Sequence, residues 1–182
     1  MIKKIPNILT LSRIILVPVL VLSFFLFSGH YLRVISSILF ALISFTDFLD
    51  GYIARKFKAE SQFGKCFDPI ADKVLVTVTM IMLVYDQRAW IIPVLVIACR
   101  ETAVSGLREF VAKKDIVINV SKTAKIKTAT QLIGLTILLI TEVNQFFYFL
   151  GNVVLSISAI LSLTTMFDYI KSTKHLFIKD II

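Results

Sequence analysis

Four aspartates in one short stretch carry the clearest chemistry of this sequence: Asp47, Asp50, Asp68 and Asp72. If the stretch is helical, the two members of each pair lie one turn apart on one helix face. Carboxylates gathered in one place repel one another unless cations lie between them, and hard divalent ions prefer oxygen ligands. Four negative charges balance two Mg²⁺ or Mn²⁺ ions, and such a pair of ions suits phosphoryl transfer. The spacing therefore predicts a two-metal site for phosphorus chemistry.

Small residues accompany both aspartate pairs. Gly51 and Ala54 lie on the flank of the first pair, and Gly64 falls on the same helical stripe as the second. Such residues would let two helices, or a flat ligand, approach closely. Pro69 suits either the first turn of a helix or a kink, and the sequence leaves both open.

Neighbouring cations offer a simpler explanation of the aspartates, in which each carboxylate forms an ion pair. The candidate partners are Arg55, Lys56, Lys65 and Lys73. Long basic side chains at the end of a membrane segment can reach water instead, so they need no carboxylate beside them. The regular spacing of all four aspartates favours the metal site.

The elements that position these residues are predicted to be membrane helices. Of the 182 residues, 57% are hydrophobic and 18% are charged, and the mean hydropathy is +0.86. A soluble domain usually has about 25% charged residues. The uncharged runs approach the ~20 residues that cross a bilayer as a helix, the form that satisfies its own backbone in lipid. Six transmembrane helices are predicted: Ile14–Leu32, Val34–Ala54, Pro69–Tyr85, Ala89–Leu107, Ile126–Ile140 and Val143–Tyr169.

These spans are expected to form one all-α bundle within a single integral membrane domain, residues 1–182. Short connections at Gly29–His30 and Asp86–Arg88 predict that neighbouring helices are antiparallel. The basic segment Met1–Asn7 could open a signal peptide, but the apolar run after it is too long for a signal core. We therefore expect it to lead into the first membrane helix.

The two cysteines, Cys66 and Cys99, match neither a metal-binding spacing nor a disulfide framework. Cysteine often serves as a small buried apolar residue. We expect that role for both.

Lysine and arginine predict the orientation in the membrane. With six spans, all the basic residues except Arg33 and Arg88 lie on the side that holds both termini. That side, with the aspartates, is predicted to face the cytoplasm from the inner membrane. The net charge of +8 then reflects topology and attraction to anionic lipid and phosphate substrates, with no nucleic-acid partner.

The pattern Asp-x2-Asp-Gly-x2-Ala-Arg-x8-Gly-x3-Asp-x3-Asp resembles the signature of the CDP-alcohol phosphotransferase family. Every fixed position is matched: Asp47, Asp50, Gly51, Ala54, Arg55, Gly64, Asp68 and Asp72. Family members are typically six-helix membrane proteins and often homodimers. The resemblance implies transfer of a phosphatidyl group from CDP-diacylglycerol to a small alcohol, with release of CMP.

The resemblance also implies roles for individual residues. Asp47, Asp50 and Asp68 would be metal ligands, and Asp72 would be both a ligand and the general base that deprotonates the acceptor hydroxyl. The CDP-diacylglycerol contacts would come from the signature and from the start of the chain: Gly51, Ala54, Arg55, Ser61, Gly64, Asn7 and Thr10.

Three further stretches resemble the family members that use glycerol 3-phosphate as the acceptor. They are Pro6–Arg13, Arg100–Arg108 and Lys125–Gln131. The sequence departs from that pattern at Ala124, where a glycine is expected before the lysine. This departure concerns the local loop geometry and not the assignment. The other acceptors used in the family are serine, inositol phosphate and phosphatidylglycerol.

An acceptor that carries a phosphate dianion needs cations, and an arginine fork fits phosphate oxygens well. The predicted ligands of the acceptor phosphate are Arg100, Arg108, Lys125 and Lys127. Basic residues at the cytoplasmic face also serve as topological anchors. Arg100, however, lies deep in its span beside Glu101, where an anchor has no function.

Two other classes of protein also fit part of the pattern. Membrane prenyltransferases bind diphosphate through magnesium and paired aspartates, but they generally need more helices and two distant motifs. Small cation transporters also carry carboxylates within the membrane. That alternative leaves the spacing of Gly51, Ala54, Arg55 and Gly64 unexplained.

Overall fold

The computed structural model describes the backbone of residues 5–57, 62–112, 122–140 and 145–181, and the side chains of residues 15–44, 70, 73–111, 123–140 and 145–173. Within these ranges the chain is all-helical, as predicted. The helices are α1 (Ile5–Leu26), α2 (Gly29–Phe57), α3 (Gln62–Tyr85), α4 (Ile91–Ala112), α5 (Lys122–Ile140) and α6 (Gln145–Ile181).

The boundary between α1 and α2 differs from the prediction. The first span was predicted to continue to Leu32, but α1 ends at Leu26 and α2 begins at Gly29. Ser28 occupies the position just before α2, and its carbonyl oxygen accepts a hydrogen bond from the amide of Leu32 at 3.5 Å. Gly29 has a φ of +58°, which glycine adopts at no steric cost. The apolar run continues through this break, so hydropathy alone could not locate it.

The predicted connection after α3 is confirmed as a tight turn. The amide of Arg88 donates to the carbonyl of Leu83 at 2.8 Å, and the amide of Gln87 donates to that of Val84 at 3.0 Å. These two bonds define a Schellman motif, whose left-handed residue is usually glycine. Here that residue is Gln87, with a φ of 56°. The turn therefore holds a non-glycine residue in an unfavourable conformation.

The chain divides into two compact units. The first contains residues 1–88 and 138–144, and in it α1 packs against both α2 and α3. Its fully buried side chains include Leu20, Ile43 and Leu83. A single domain for the whole chain stays a prediction.

The second unit contains residues 89–137 and 145–182, and in it α4 packs against α6. The backbones of α5 and α6 also approach closely at Gly134, where a Cβ atom would lie 3.2 Å from the amide nitrogen of Leu155. Glycine at this position allows that approach. Ile97 and Leu135 are fully buried in this unit.

Arg88 connects the turn after α3 to the C-terminal end of α5. Its Nη1 and Nη2 donate to the carbonyl oxygen of Leu139 at 3.4 and 3.5 Å, and its Nε lies 3.2 Å from a carboxylate oxygen of Asp86. Burial lowers the pKa of the Arg88 guanidinium, and Asp86 opposes that effect. A cation at a helix C-terminus complements the helix dipole. Arg88, one of two basic residues outside the predicted basic face, therefore caps α5.

Many large apolar side chains are exposed, among them Phe25, Ile92 and Phe167. Among the described residues, two helical stretches are long and apolar enough to cross a membrane, Thr123–Ile140 and Gln145–Thr173. Shorter apolar stretches occur in α1, α2 and α3. The full set of six spans therefore stays a prediction.

The expectation that Cys99 is buried is wrong, because its side chain is exposed on α4. The helix presents an outer face that is largely apolar, and a small thiol is compatible with that face. The side chain of Cys66 lies outside the described residues.

Candidate functional site

The structure places both aspartate pairs on continuous helices. Asp47 and Asp50 belong to α2, and Asp68 and Asp72 belong to α3. The predicted helical spacing of each pair is therefore confirmed for the backbone. The four side chains lie outside the described set, and within that set no group of three His, Cys, Asp or Glu residues is arranged to hold a metal.

The structure likewise describes the backbone, but not the side chains, of the small and cationic residues of the signature. Gly51, Ala54 and Arg55 continue along α2, and Gly64 lies near the start of α3. Their side-chain environments are outside the described residues, as is the whole of Ser61.

Two structural details concern the elements around the aspartates. Pro69 lies in the interior of α3, which begins at Gln62, so the first-turn alternative is excluded. Its missing N–H removes the hydrogen bond that the carbonyl of Lys65 would accept in a regular helix.

Asn7 and Thr10 are on α1, the helix that packs against both aspartate-bearing helices. The predicted nucleotide-binding positions thus share the first unit with the aspartates.

A cluster of buried charges occupies the second unit, centred on Arg100 of α4. Three of its N–H groups donate to neighbours: Nε to the carbonyl of Ser162 at 3.0 Å, Nη1 to Glu101 at 3.0 Å, and Nη2 to the hydroxyl of Thr165 at 2.9 Å. The Arg100 side chain is 5% exposed. Two of the three bonds reach α6, so Arg100 joins α4 to α6.

Lys127 of α5 completes this cluster. Its Nζ donates to the same carboxylate oxygen of Glu101 that Arg100 contacts. The hydroxyl of Ser158 on α6 donates to the Lys127 carbonyl at 3.2 Å. Glu101 therefore bridges a cation on α4 and a cation on α5.

Sequence reasoning assigned no function to Glu101, Ser158, Ser162 or Thr165. A role for Glu101 could have been inferred from its position beside Arg100 at membrane depth, where charged residues are costly. The α6 residues gave no signal of this kind. Ser162 contributes a backbone carbonyl, which any residue could supply, and single hydroxyl residues such as Ser158 and Thr165 commonly form hydrogen bonds between membrane helices.

The two other predicted acceptor ligands are placed differently. Lys125 is exposed on α5. Arg108 is exposed on α4, with its guanidinium carbon 6.0 Å from the ring centroid of Tyr169. Its charge nevertheless acts electrostatically on both Arg100 and Lys127. The structure thus brings Arg100 and Lys127 into direct contact with one carboxylate and leaves Arg108 at the periphery of that cluster.

Ala124 lies in the first turn of α5. Alanine is a stronger helix former than glycine, so the departure at this position favours an earlier helix start. Alanine at this position is therefore compatible with the helical turn that the structure places there.

Helices with an apolar outer surface and buried polar clusters indicate a membrane protein. Comparison with known families identifies it more closely, because the family model described as CDP-alcohol phosphatidyltransferase matches residues 3–164. The chain belongs to this family, which is a family of transferases, and the resemblance seen in the sequence is confirmed.

Curated relatives match along almost the whole chain. A protein of Rickettsia felis is 42% identical over 178 residues, covering 96% of this chain and 98% of the relative. A protein of Rickettsia typhi is 43% identical over 178 residues, with coverage of 96% and 99%. A protein of Salmonella choleraesuis is 33% identical over 175 residues, with coverage of 94% and 95%. Each of the three is named CDP-diacylglycerol–glycerol-3-phosphate 3-phosphatidyltransferase.

Proposed function

We propose that this protein transfers the phosphatidyl group of CDP-diacylglycerol to sn-glycerol 3-phosphate, giving phosphatidylglycerophosphate and CMP. The observation that carries the proposal is the similarity along 96% of the chain to relatives named for this reaction. The paired aspartates on α2 and α3 are independent support, since their chemistry is that of a phosphoryl-transfer site.

The aspartates fit divalent metal. Each pair lies one turn apart on one helix, and all the donors are carboxylate oxygens, which suits Mg²⁺ or Mn²⁺ better than softer ions. Asp47, Asp50, Asp68 and Asp72 would hold two such ions. When bound, the ions supply positive charge to the pyrophosphate and help to acidify the acceptor hydroxyl.

Asp72 is the proposed general base. It accepts the proton of the acceptor hydroxyl as that oxygen forms a bond to the phosphorus that carries diacylglycerol. The bond from this phosphorus to the oxygen shared with the CMP phosphate breaks, and CMP leaves with the bonding electrons. The nucleotide portion is held by residues on α1, α2 and α3 and in the segment between α2 and α3: Asn7, Thr10, Gly51, Ala54, Arg55, Ser61 and Gly64.

The phosphate of the acceptor is proposed to bind the cations of the second unit, Arg100, Arg108, Lys125 and Lys127. The two exposed members can meet a soluble anion directly. Arg100 and Lys127 are buried but carry a combined excess of positive charge over Glu101. Glycerol 3-phosphate complements that excess better than serine does, because serine carries no net charge.

The protein is further proposed to lie in the inner membrane as a six-span homodimer, with its active site and both termini in the cytoplasm. The distribution of lysine and arginine supports this orientation. The capping role of Arg88 accounts for one of the two exceptions. Membrane lipid is thus both its environment and the source of its substrate.

The decisive experiment offers the purified protein CDP-diacylglycerol together with glycerol 3-phosphate, serine, inositol phosphate or phosphatidylglycerol in separate reactions. We expect CMP release and phosphatidylglycerophosphate with glycerol 3-phosphate alone. A different lipid product would reassign the acceptor within the family. Absence of CMP release with every acceptor would refute the proposal.

A further inference from the structure

The carboxylate of Glu101 lies between two buried cations that come from different helices. One oxygen atom, Oε1, accepts from Nη1 of Arg100 at 3.0 Å and from Nζ of Lys127. The Glu101 side chain is 19% exposed, whereas that of Lys127 is 6% exposed. Glu101 is therefore the more accessible member of the cluster, and a single atom fixes the relative position of both cations.

We infer that Glu101 is a positioning residue for the acceptor: it holds the guanidinium of Arg100 and the ammonium of Lys127 together so that both can meet one phosphate group. This inference rests on the proposed function, since it concerns how the acceptor phosphate is recognised.

The geometry of the cluster supplies the physical reason. Two like charges brought together in a low-dielectric interior repel strongly, and the shared carboxylate offsets that repulsion. Arg100 has two additional anchors on α6, whereas the Lys127 ammonium is held by the carboxylate of Glu101. Without Glu101, the flexible lysine stem would carry its charge away from Arg100, and the pair would no longer be arranged for one phosphate.

A purely structural role for Glu101 predicts a different result. If the carboxylate served to hold α4 against α5 and did nothing else, its loss would affect the use of both substrates alike. A positioning role instead predicts a change confined to the acceptor, because CDP-diacylglycerol is proposed to bind residues of the first unit.

The test is Glu101→Gln, which keeps the shape of the side chain and removes its charge. Steady-state kinetics in detergent micelles should show a KM for glycerol 3-phosphate raised roughly ten- to a hundred-fold, as expected for the loss of a charged hydrogen bond. The KM for CDP-diacylglycerol should not change. Glu101→Asp, which retains the charge on a shorter stem, should recover part of the loss.

Glu109→Gln is the matched control, because it removes the same charge from the same helix two turns further along α4. It should leave both Michaelis constants unchanged. An unchanged acceptor KM in Glu101→Gln, or an equal rise for both substrates, would overturn the inference while the wild-type protein still makes phosphatidylglycerophosphate. A wild-type protein that makes none refutes the proposed function itself.

A double-mutant cycle keeps the test decisive if Glu101→Gln proves unstable. Removing both members of a buried ion pair is better tolerated than removing one. If Glu101 acts through Lys127, the double variant Glu101→Gln, Lys127→Met should have the same acceptor KM as Lys127→Met. A further tenfold rise in the double variant would show that Glu101 acts independently of Lys127 and would contradict the inference.

Discussion

Gly134 of α5 faces the backbone of Leu155 on α6 so closely that a Cβ atom at Gly134 would lie 3.2 Å from the Leu155 amide nitrogen. The same atom would lie 3.4 Å from the carbonyl oxygen of Gly151. Two of the three nearest atoms are backbone, which cannot rotate away as a side chain can. The close contact of α5 and α6 therefore depends on the absence of a side chain at this position.

Gly134→Ala is expected to destabilise the protein by about 1–3 kcal/mol, because overpacking forces the two helix backbones apart. Thermal unfolding in detergent micelles measures this effect. Gly106→Ala is the matched control: Gly106 is in the interior of α4, and a Cβ there would meet nothing within 4 Å. That substitution should stabilise the protein by roughly 0.5–1 kcal/mol through helix propensity. Equal effects at the two glycines would contradict the close approach at Gly134.

Gln87→Gly is expected to raise the melting temperature. Gln87 has a left-handed φ of 56°, a conformation that costs a residue with a Cβ roughly 1–2 kcal/mol. Glycine removes that cost and is the usual residue at this position of a Schellman motif. The comparison is again thermal unfolding of the purified protein. Gln87→Val, which is β-branched, should lower the melting temperature, and the reverse order of the two variants would argue against the turn described.

Removal of divalent metal should abolish turnover. Dialysis against EDTA is expected to eliminate CMP release, and Mg²⁺ or Mn²⁺ should restore it. Asp47→Asn or Asp68→Asn should reduce activity by several orders of magnitude while the variant still inserts into the membrane. Full activity in a preparation shown to be free of metal would refute the two-metal site.

Arg100→Lys is expected to retain the positive charge and lose the bonds to α6. An ammonium group cannot reproduce the three directions in which the guanidinium donates to Ser162, Glu101 and Thr165. The melting temperature should fall, and the KM for glycerol 3-phosphate should rise more than that for CDP-diacylglycerol. Unfolding and two-substrate kinetics on one preparation separate these effects. An acceptor KM equal to that of the wild type would remove Arg100 from the acceptor site.

The predicted orientation can be tested by thiol labelling. In a background of Cys66→Ala and Cys99→Ala, a cysteine introduced at Gln87 should react with an impermeant reagent added outside intact cells. A cysteine introduced at Lys113 should react after the cytoplasmic face is opened, and not before. Labelling of position 87 from the cytoplasmic side alone would overturn the six-span arrangement.

The helical register of the aspartates could be predicted because it depends on local spacing. Asp47 and Asp50 lie one turn apart on one face provided that α2 is a continuous helix through both, and the structure shows that it is. The turn at Asp86–Arg88 was predicted for the same reason. The end of α1 was placed too late, because the break at Ser28 and Gly29 interrupts the chain without interrupting its hydropathy.

The charged cluster could be predicted only in part. Arg100 and Lys127 were identified by their charge at membrane depth, but their shared contact with Glu101 depends on how α4 and α5 pack. The bond from Arg100 to the carbonyl of Ser162 depends on a backbone atom of α6, a helix whose sequence predicts no more than a hydrophobic span. Contacts between distant segments are set by packing, and no local sequence pattern predicts them.

The distribution of polar and apolar side chains has a calorimetric consequence. Phe25, Ile92 and Phe167 are exposed, whereas Arg100 and Asn152 are buried. In a bilayer the exposed apolar groups already contact hydrocarbon, so separating the helices there transfers little apolar surface into water. Unfolding of soluble domains raises the heat capacity by about 12–15 cal/mol/K per residue, mainly through hydration of apolar surface. The heat-capacity increment of this protein in lipid should therefore be far smaller per residue, and the enthalpy and entropy of its unfolding should vary little with temperature on that account.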